Sequence, residues 1–344
     1  MRAQVQRGYR GGDSVAVESV PDPVAGPGEV VVAVKACALN RLDLLQQAAP
    51  LVRGFSLPHI AGMDVAGIVV ARSDQLPDGA GPSIGDAVLV DPVSTCGVCE
   101  RCTTGFAPYC ENLRTVGSTR PGGFGELVAV PASHTFPIPD GMSFVEAATL
   151  PVAAMTGFHA IEAGRFADGE TVLVNGAGSG VSCALLALLR ARGATVITTA
   201  GGPTKVQRAL DAGYHRVIDY RGENVAQAVR ALTNGRGVPL VIDHVGPALF
   251  QQSIDSLALE GRMVFCGTTT GTEALLSLTS VYHWGRSLIG AGGYLPGDFP
   301  KMLSAMSAAG AAPIIDSVWP FSELAAAQQK MAGGDFFGKI VIEY

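Results

Sequence analysis

The sequence predicts an α/β protein in which a β-rich N-terminal half precedes a doubly wound parallel sheet. Three observations carry this expectation. Up to about residue 150, short β-rich runs are punctuated by Gly and Pro; after Pro151, apolar strands alternate with helical segments. The third is a glycine-rich turn that joins the first of those later strands to an apolar helix, as in a βαβ unit. A chain of 344 residues has room for two domains, each able to bury a core of its own.

In the first half the candidate strands are Glu29–Val34, Ala66–Val70, Ala87–Val90 and Glu126–Val130, short enough for a barrel-like unit. In the second they are Thr171–Asn175, Thr195–Thr199, Arg216–Asp219, Pro239–Asp243, Arg262–Cys266 and Ser287–Gly290, six in all and sufficient for a full doubly wound sheet. A helical stretch near Glu323–Met331 then leads to a last strand, Lys339–Glu343, whose β character suggests that the C-terminus rejoins the first domain. The expected division is 1–152 with 293–344 for the β-rich domain and 153–292 for the parallel sheet.

Four of the seven cysteines, Cys96, Cys99, Cys102 and Cys110, fall within fifteen residues. That spacing suits one tetrahedral zinc held by four thiolates, a closed site that leaves no position for water and contributes folding free energy instead of chemistry. An iron–sulfur cluster and a pair of disulfides are the competing readings. The common bacterial cluster spacing brings the last cysteine closer and follows it with proline, which this chain does not do.

The turn Asn175-Gly176-Ala177-Gly178-Ser179-Gly180-Val181-Ser182 follows an apolar strand and opens the helical run that starts at Cys183. Glycines there allow a tight turn and close approach of the backbone to a pyrophosphate, while the helix N-terminus offers free N–H groups and a favourable dipole. One departure is Ser182 where the last glycine is usual, which predicts slightly looser packing of helix against strand. After the second strand the chain reads Thr199-Ala200-Gly201-Gly202-Pro203-Thr204-Lys205, with no acid to hold the ribose 2′-hydroxyl of NAD. Nothing there repels a 2′-phosphate and Lys205 can pair with it, so NADPH is favoured over NADH; the alternative for Lys205 is a solvated helix start.

Charged residues make up 16% and the formal net charge is −6 with no Lys/Arg block, so nucleic acid is not an expected partner. No run of about 18 apolar residues and no signal-like h-region are present, so the expected setting is the cytoplasm, away from membranes, with reduced thiols. His59, His159, His244 and His283 have no metal-ligand spacing among them and are read as structural.

The β-rich half, the four-cysteine lobe, the dinucleotide turn and the terminal Gly338-Lys339-Ile340-Val341 together resemble the medium-chain dehydrogenase/reductase superfamily. Within it the chain is most similar to the quinone oxidoreductase-like branch, with the structural-zinc lobe of a zinc-type alcohol dehydrogenase-like protein. The segments carrying the likeness are Ala38-Leu39-Asn40-Arg41-Leu42-Asp43, Leu57 to Asp64, Ala148-Thr149-Leu150-Pro151, Ile242 to Gly246 and Phe265 to Gly271. The resemblance implies a GroES-like β-rich catalytic domain plus a Rossmann domain.

It also implies which groups do the chemistry. The positions matching the catalytic zinc ligands of alcohol dehydrogenases hold Asn40, Met63 and Val152, a poor donor set for zinc, so that metal is expected to be absent. The position matching the usual proton relay is Leu45, which leaves the proton donor as solvent or an unidentified group. The likeness then points to an NADPH-dependent reductase of quinones or α,β-unsaturated carbonyls, acting by hydride transfer on a small molecule. Asn40 would hydrogen-bond near the acceptor carbonyl or nicotinamide and Asp43 would orient it; turn chemistry is the alternative for both. For the cofactor the matching residues are Thr156, Gly176 to Val181 (Gly176, Ala177, Gly178, Ser179, Gly180, Val181), Lys205, Tyr220, Gly267, Thr268 and Lys339. Thr156 can equally cap a helix and Tyr220 can equally pack on the sheet edge. An isologous homodimer through the strand near Ser287–Gly290 is expected on the same analogy. A zinc-type alcohol or aldehyde dehydrogenase, and a non-catalytic binding protein on the same fold, are the alternative functions.

Overall fold

A computed structural model describes residues 1–9, 14–77 and 79–344. The chain forms two compact units: Met1–Ala153 with Leu295–Leu303 and Ile315–Tyr344, and Ala154–Tyr294 with Ser304–Ile314.

The first unit opens with an antiparallel pair, β1 (Arg2–Gln6) and β2 (Val15–Ser19). β3 (Glu29–Ala38) follows, its Val-rich sequence buried along nearly its whole length, and leads into helix α1 (Arg41–Ala48). Next come β4 (Asp64–Arg72) and β5 (Ala87–Val90). The short strands β6 (Val93–Ser94) and β7 (Arg114–Thr115) pair at the base of the cysteine lobe, which carries α2 (Glu100–Thr103). β8 (Leu127–Pro131), β9 (Thr135–Pro137) and α3 (Phe144–Ala147) complete this part of the chain.

Helix α4 (Ala153–Ala163) precedes the parallel sheet of the second unit. The order is β10 (Thr171–Val174), α5 (Gly180–Ala191), β11 (Thr195–Ala200), α6 (Pro203–Asp211), β12 (Val217–Asp219), α7 (Val225–Leu232), β13 (Val238–Asp243), α8 (Phe250–Ser256), β14 (Leu257–Phe265), α9 (Leu278–Tyr282) and β15 (Ser287–Gly290). After α10 (Asp298–Ala309), strand β16 (Ile315–Pro320), helix α11 (Leu324–Gly333) and strand β17 (Lys339–Glu343) return to the first unit.

Seven strands form the main sheet of the first unit, in the order β16-β17-β3-β4-β5-β9 with β8 also paired to β3. β17 runs antiparallel to β3, with Val341 opposite Ala38, which brings the last strand of the chain beside the segment entering α1. The core here is built from Val30, Val32, Val65, Val69, Phe124 and Ile340, among others, all fully buried. Burying each such aliphatic or aromatic side chain stabilises by about 1.5–3 kcal/mol.

The second unit is a six-stranded parallel sheet ordered β12-β11-β10-β13-β14-β15, the doubly wound α/β arrangement that the sequence predicts. Its central strands β10 and β13 are mostly apolar and buried along nearly their whole length, as expected where helices cover both sides. The order reverses between β10 and β13, the switch point outside whose carboxyl ends ligands bind in such folds. β14 begins five residues before the expected Arg262. Its register against β13 slips between Val238 and Leu240, and Glu260 takes a left-handed φ of 56°, so a bulge carries the extra residues.

Candidate catalytic and cofactor sites

Asn40 lies just before α1, at the end of the segment that β3 delivers beside β17. Its side chain does not make the local turn bonds typical of such a position. The Nδ2 group donates to Asp64 Oδ2 at 2.8 Å, and Oδ1 accepts from Lys339 Nζ at 2.9 Å. Lys339 is buried and spends its other donors on Leu39 O at 2.8 Å and Asp64 Oδ2 at 2.7 Å. Asp64 is fully buried, and its remaining oxygen accepts the Val152 N–H at 2.7 Å. One carboxylate therefore ties together Asn40, Val152 and the backbone next to Met63. The second amide hydrogen of the half-buried Asn40 has no acceptor among the described residues. Lys339, expected among the cofactor-binding residues, has all three donors engaged here, so any influence on a cofactor runs through Asn40 and Asp64.

Asp43 does take part in turn chemistry, since its Oδ2 accepts the Asn40 N–H at 2.7 Å. Its other oxygen, Oδ1, is buried with no hydrogen-bond partner. Burial pushes the carboxyl up to about 7, helped by the neighbouring Asp64 and opposed by the Asn40 N–H and the Lys339 ammonium. Asp43 thus holds a proton through much of the neutral range. Leu45, the residue at the usual relay position, is 39% exposed and offers no donor. Beside Asn40 the titratable side chain with a raised value is Asp43, a shift legible only once its burial is known.

The four cysteines converge. All four sulfurs lie within 4.8 Å of one another, with Cys99–Cys102 and Cys96–Cys110 at 3.5 Å and Cys96–Cys102 and Cys99–Cys110 at 3.9 Å. Zn–S bonds of about 2.3 Å in a tetrahedron require sulfurs about 3.8 Å apart, so the donor set and its spacing fit zinc. Backbone N–H groups of Cys96 and Asn112 donate to Cys110 Sγ and that of Cys99 to Cys96 Sγ, an arrangement suited to thiolates. Such donors bring the Cys96 thiol down to about 6 and hold Cys99 below its ordinary value, while burial takes Cys102 up to about 11. No other group of three or more His, Cys, Asp or Glu side chains among the described residues could hold a metal ion.

In the second unit the glycine-rich turn connects β10 to α5. Gly176 takes a φ of +75°, and Ser179 caps the helix by accepting the Ser182 N–H at 2.9 Å. The N–H groups of Gly180 and Val181, in the first turn of α5, have no acceptor among the described residues, which suits an anion. The expected looser packing at Ser182 is not what the structure has. Ser182 is fully buried, and its hydroxyl donates to Asn175 O at 3.0 Å, closing the turn onto the strand end.

At the end of β11, a Cβ on Gly201 would overlap the Tyr220 hydroxyl, so the glycine permits that ring to lie on the turn. Tyr220 is 38% exposed. The guanidinium of Arg221 lies along the same turn, about 3.3 Å from where Cβ atoms of Gly201 and Gly202 would stand, specifically 3.3 and 3.4 Å. Sequence reasoning missed Arg221, although its adjacency to Tyr220 was a signal. Asp219 Oδ1 accepts from the N–H groups of Gly202 at 2.9 Å and Arg221 at 3.0 Å, which holds its carboxyl below the usual range. Lys205 sits in the first turn of α6 and Thr156 inside the first turn of α4, beyond a capping position. Gly267 and the exposed Thr268 follow β14, and a Cβ on Gly267 would overlap the His244 carbonyl.

Residues 26–140 match the alcohol dehydrogenase GroES-like domain and residues 180–308 the zinc-binding dehydrogenase family. The chain belongs to the medium-chain dehydrogenase/reductase superfamily as a zinc-type alcohol dehydrogenase-like protein. It is 30% identical to a zinc-type alcohol dehydrogenase-like protein of Schizosaccharomyces pombe, over 92% of this chain and 91% of that one. It is also 28% identical to the synaptic vesicle membrane protein VAT-1 homolog of Homo sapiens, over 99% of this chain and 86% of the relative. Among solved structures, an NAD-dependent alcohol dehydrogenase superposes with a TM-score of 0.92 at 32% identity, each chain covered completely. Membership makes this an oxidoreductase fold with a GroES-like and a Rossmann unit. No helix among the described residues is long and apolar enough to cross a membrane.

Proposed function

We propose that the protein is an NADPH-dependent reductase of quinones or α,β-unsaturated carbonyls that works without a catalytic zinc. The observation that carries this reading is the set Asn40, Asp64 and Lys339. Where alcohol dehydrogenases of the superfamily hold a metal, this chain has an amide anchored by a buried ion pair, with Met63 and Val152 at the other matching positions. Such a set lacks the ligands for a Lewis acid that would activate an alcohol, but it offers a hydrogen-bond donor to a carbonyl that is already activated.

NADPH, when bound, supplies the hydride. The chain's residues supply position and polarity. The remaining Asn40 amide hydrogen donates to the acceptor oxygen, while Lys339 holds the amide oxygen and Asp64 the amide nitrogen. Negative charge that develops on that oxygen is stabilised more than the ground-state carbonyl. Asp43, with its carboxyl near 7, is the proton source on this reading. The free N–H groups of Gly180 and Val181 receive the pyrophosphate, and Thr156, Gly267 and Thr268 line the nicotinamide end. Lys205, Arg221 and Tyr220 meet the 2′-phosphate. The four-cysteine lobe holds one structural zinc, and the exposed edge strand β15 supports a homodimer.

One observation favours NADH instead: the Asp219 carboxylate stands at Gly202, where it could take a ribose hydroxyl. The test is oxidation of NADPH and of NADH by purified protein offered quinones, conjugated enones and simple aldehydes. Turnover of quinones or enones with NADPH supports the proposal. Activity confined to alcohols or aldehydes, dependent on a second zinc per chain, refutes it, and binding without turnover of any acceptor favours a non-catalytic role.

A further inference from the structure

Two serines, Ser179 and Ser182, stand in the glycine-rich turn, and both meet the same side chain. His244 Nε2 lies 2.8 Å from Ser182 Oγ and 3.1 Å from Ser179 Oγ. Ser182 Oγ also lies 3.0 Å from Asn175 O, to which its hydroxyl can donate, so this serine links the imidazole to the end of β10. Burial keeps His244 below its ordinary value and hence neutral, against the pull of the Asp243 carboxylate.

His244 follows directly on β13, and the turn follows β10, its neighbour at the switch point. The same two strand ends are joined a second time. Asp243 Oδ2 accepts Asn175 Nδ2 at 2.6 Å, while Oδ1 accepts the N–H groups of Val245 and Gly246 at 2.9 and 2.8 Å. His244 also borders the first glycine of the turn, with Cε1 3.3 Å from where a Gly176 Cβ would stand. The imidazole therefore grips the N-cap and the first turn of α5 from the far side of the crevice. Ser182 marks a departure from the glycine usual at its position, and the imidazole bridges that departure to β13.

We propose that His244 is a positioning residue for the dinucleotide: by hydrogen-bonding to Ser179 and Ser182 it fixes the first turn of α5, and with it the Gly180 and Val181 N–H groups that receive the pyrophosphate. The inference rests on reading this turn as the cofactor site. Its consequence is specific. Loss of the brace weakens cofactor binding and leaves the chemical step at saturating cofactor unchanged, because the bonds removed are those that hold the glycine-rich turn.

The experiment measures NADPH dissociation constants and kcat for wild type, H244L, H244Q, S182G and H244L in an S179A/S182G background. Glutamine keeps an amide able to hydrogen-bond to the serines at comparable reach; leucine does not. H244L is expected to weaken NADPH binding about tenfold, H244Q by no more than about threefold, and the leucine change to cost less than about twofold once the serines are gone, the signature of coupled neighbours. Equal losses with and without the serines, or equal losses for leucine and glutamine, overturn the proposal. So does H244L binding NADPH like wild type. If H244L does not fold, H244Q and S182G decide: the inference requires near-native affinity for the first and an approximately threefold loss for the second. Wild type binding neither NADPH nor NADH would overturn the parent reading, a failure distinguishable from wild-type binding that the variants leave unchanged.

Discussion

Replacing Asp43 with asparagine gives the sharpest test of the electrostatics around Asn40. Asp43 is fully buried, with one oxygen bonded to the Asn40 N–H and the other without a partner. Its carboxyl stands at about 7 in the fold against an ordinary 3.8, because burial disfavours the charge. Since the folded value is the raised one, the stabilising contribution is fully present below pH 3.8 and is lost as pH rises through about 7. At about 1.4 kcal/mol per tenfold, the whole effect is capped near 4 kcal/mol, of which about 2–3 kcal/mol is lost between pH 5 and 8. Asparagine retains an oxygen for the Asn40 N–H and cannot ionise. Urea unfolding of wild type and D43N from pH 5 to 9 isolates the residue, since every other titrating group cancels in the difference. The stability of D43N relative to wild type should rise by about 2–3 kcal/mol between pH 5 and 8. Parallel curves would show that the carboxyl is not perturbed, and the reasoning would fail with them. The same titration governs turnover on the proposed reading: wild-type kcat should decline as pH rises past about 7, and D43N should be slow and lack that limb.

Lys339→Met leaves the buried Asp64 carboxylate without its cation, so a loss of about 3–5 kcal/mol of stability by urea unfolding is expected, far more than for a surface lysine. Metal analysis of protein purified without added zinc should find zinc at about one per chain, and a strong chelator acting with a denaturant should remove it and lower the unfolding temperature; if removal leaves thermal unfolding unchanged, the lobe is not a folding element. Arg221→Ala should raise KM for NADPH about tenfold and leave KM for NADH unaltered, the loss of one charge-assisted contact to phosphate. Equal effects on both cofactors would assign the guanidinium a role other than reading the 2′-phosphate.

The legibility of this chain follows the range of the interactions. The parallel sheet shows through because each strand is a run of β-branched and aliphatic residues, and the strands Ser287–Gly290 and Lys339–Glu343 have the limits that the sequence predicts. The cysteine cluster was equally plain, since its chemistry lies in local spacing. Strand β14 was misjudged at its start because the bulge at Glu260 depends on register with β13, which no local pattern records. Local pattern makes Ser182 a departure from glycine packing and nothing more, because its partner His244 lies sixty-two positions away.

Asn40 shows the same limit from the functional side. Its type and spacing from Asp43 drew attention to it, but the alternative of local turn bonding could not be dismissed from sequence. The fold divides the two possibilities between the two residues: Asp43 takes the turn bond, and Asn40 turns its side chain to groups from β4 and β17. Those partners are 24 and 299 residues distant along the chain. An amide held at both ends in this way cannot flip to exchange its donor and acceptor, because reversal would set the amide nitrogen against an ammonium and the amide oxygen against a carboxylate. The ion pair therefore fixes the orientation of the amide, and on the proposed reading its remaining N–H is what an incoming ligand meets. This orientation suits a carbonyl or quinone oxygen and disfavours a cationic or purely donating group. Lys339→Met should consequently relax acceptor selectivity as well as stability, whereas a lysine that served only to hold β17 in place would affect stability alone.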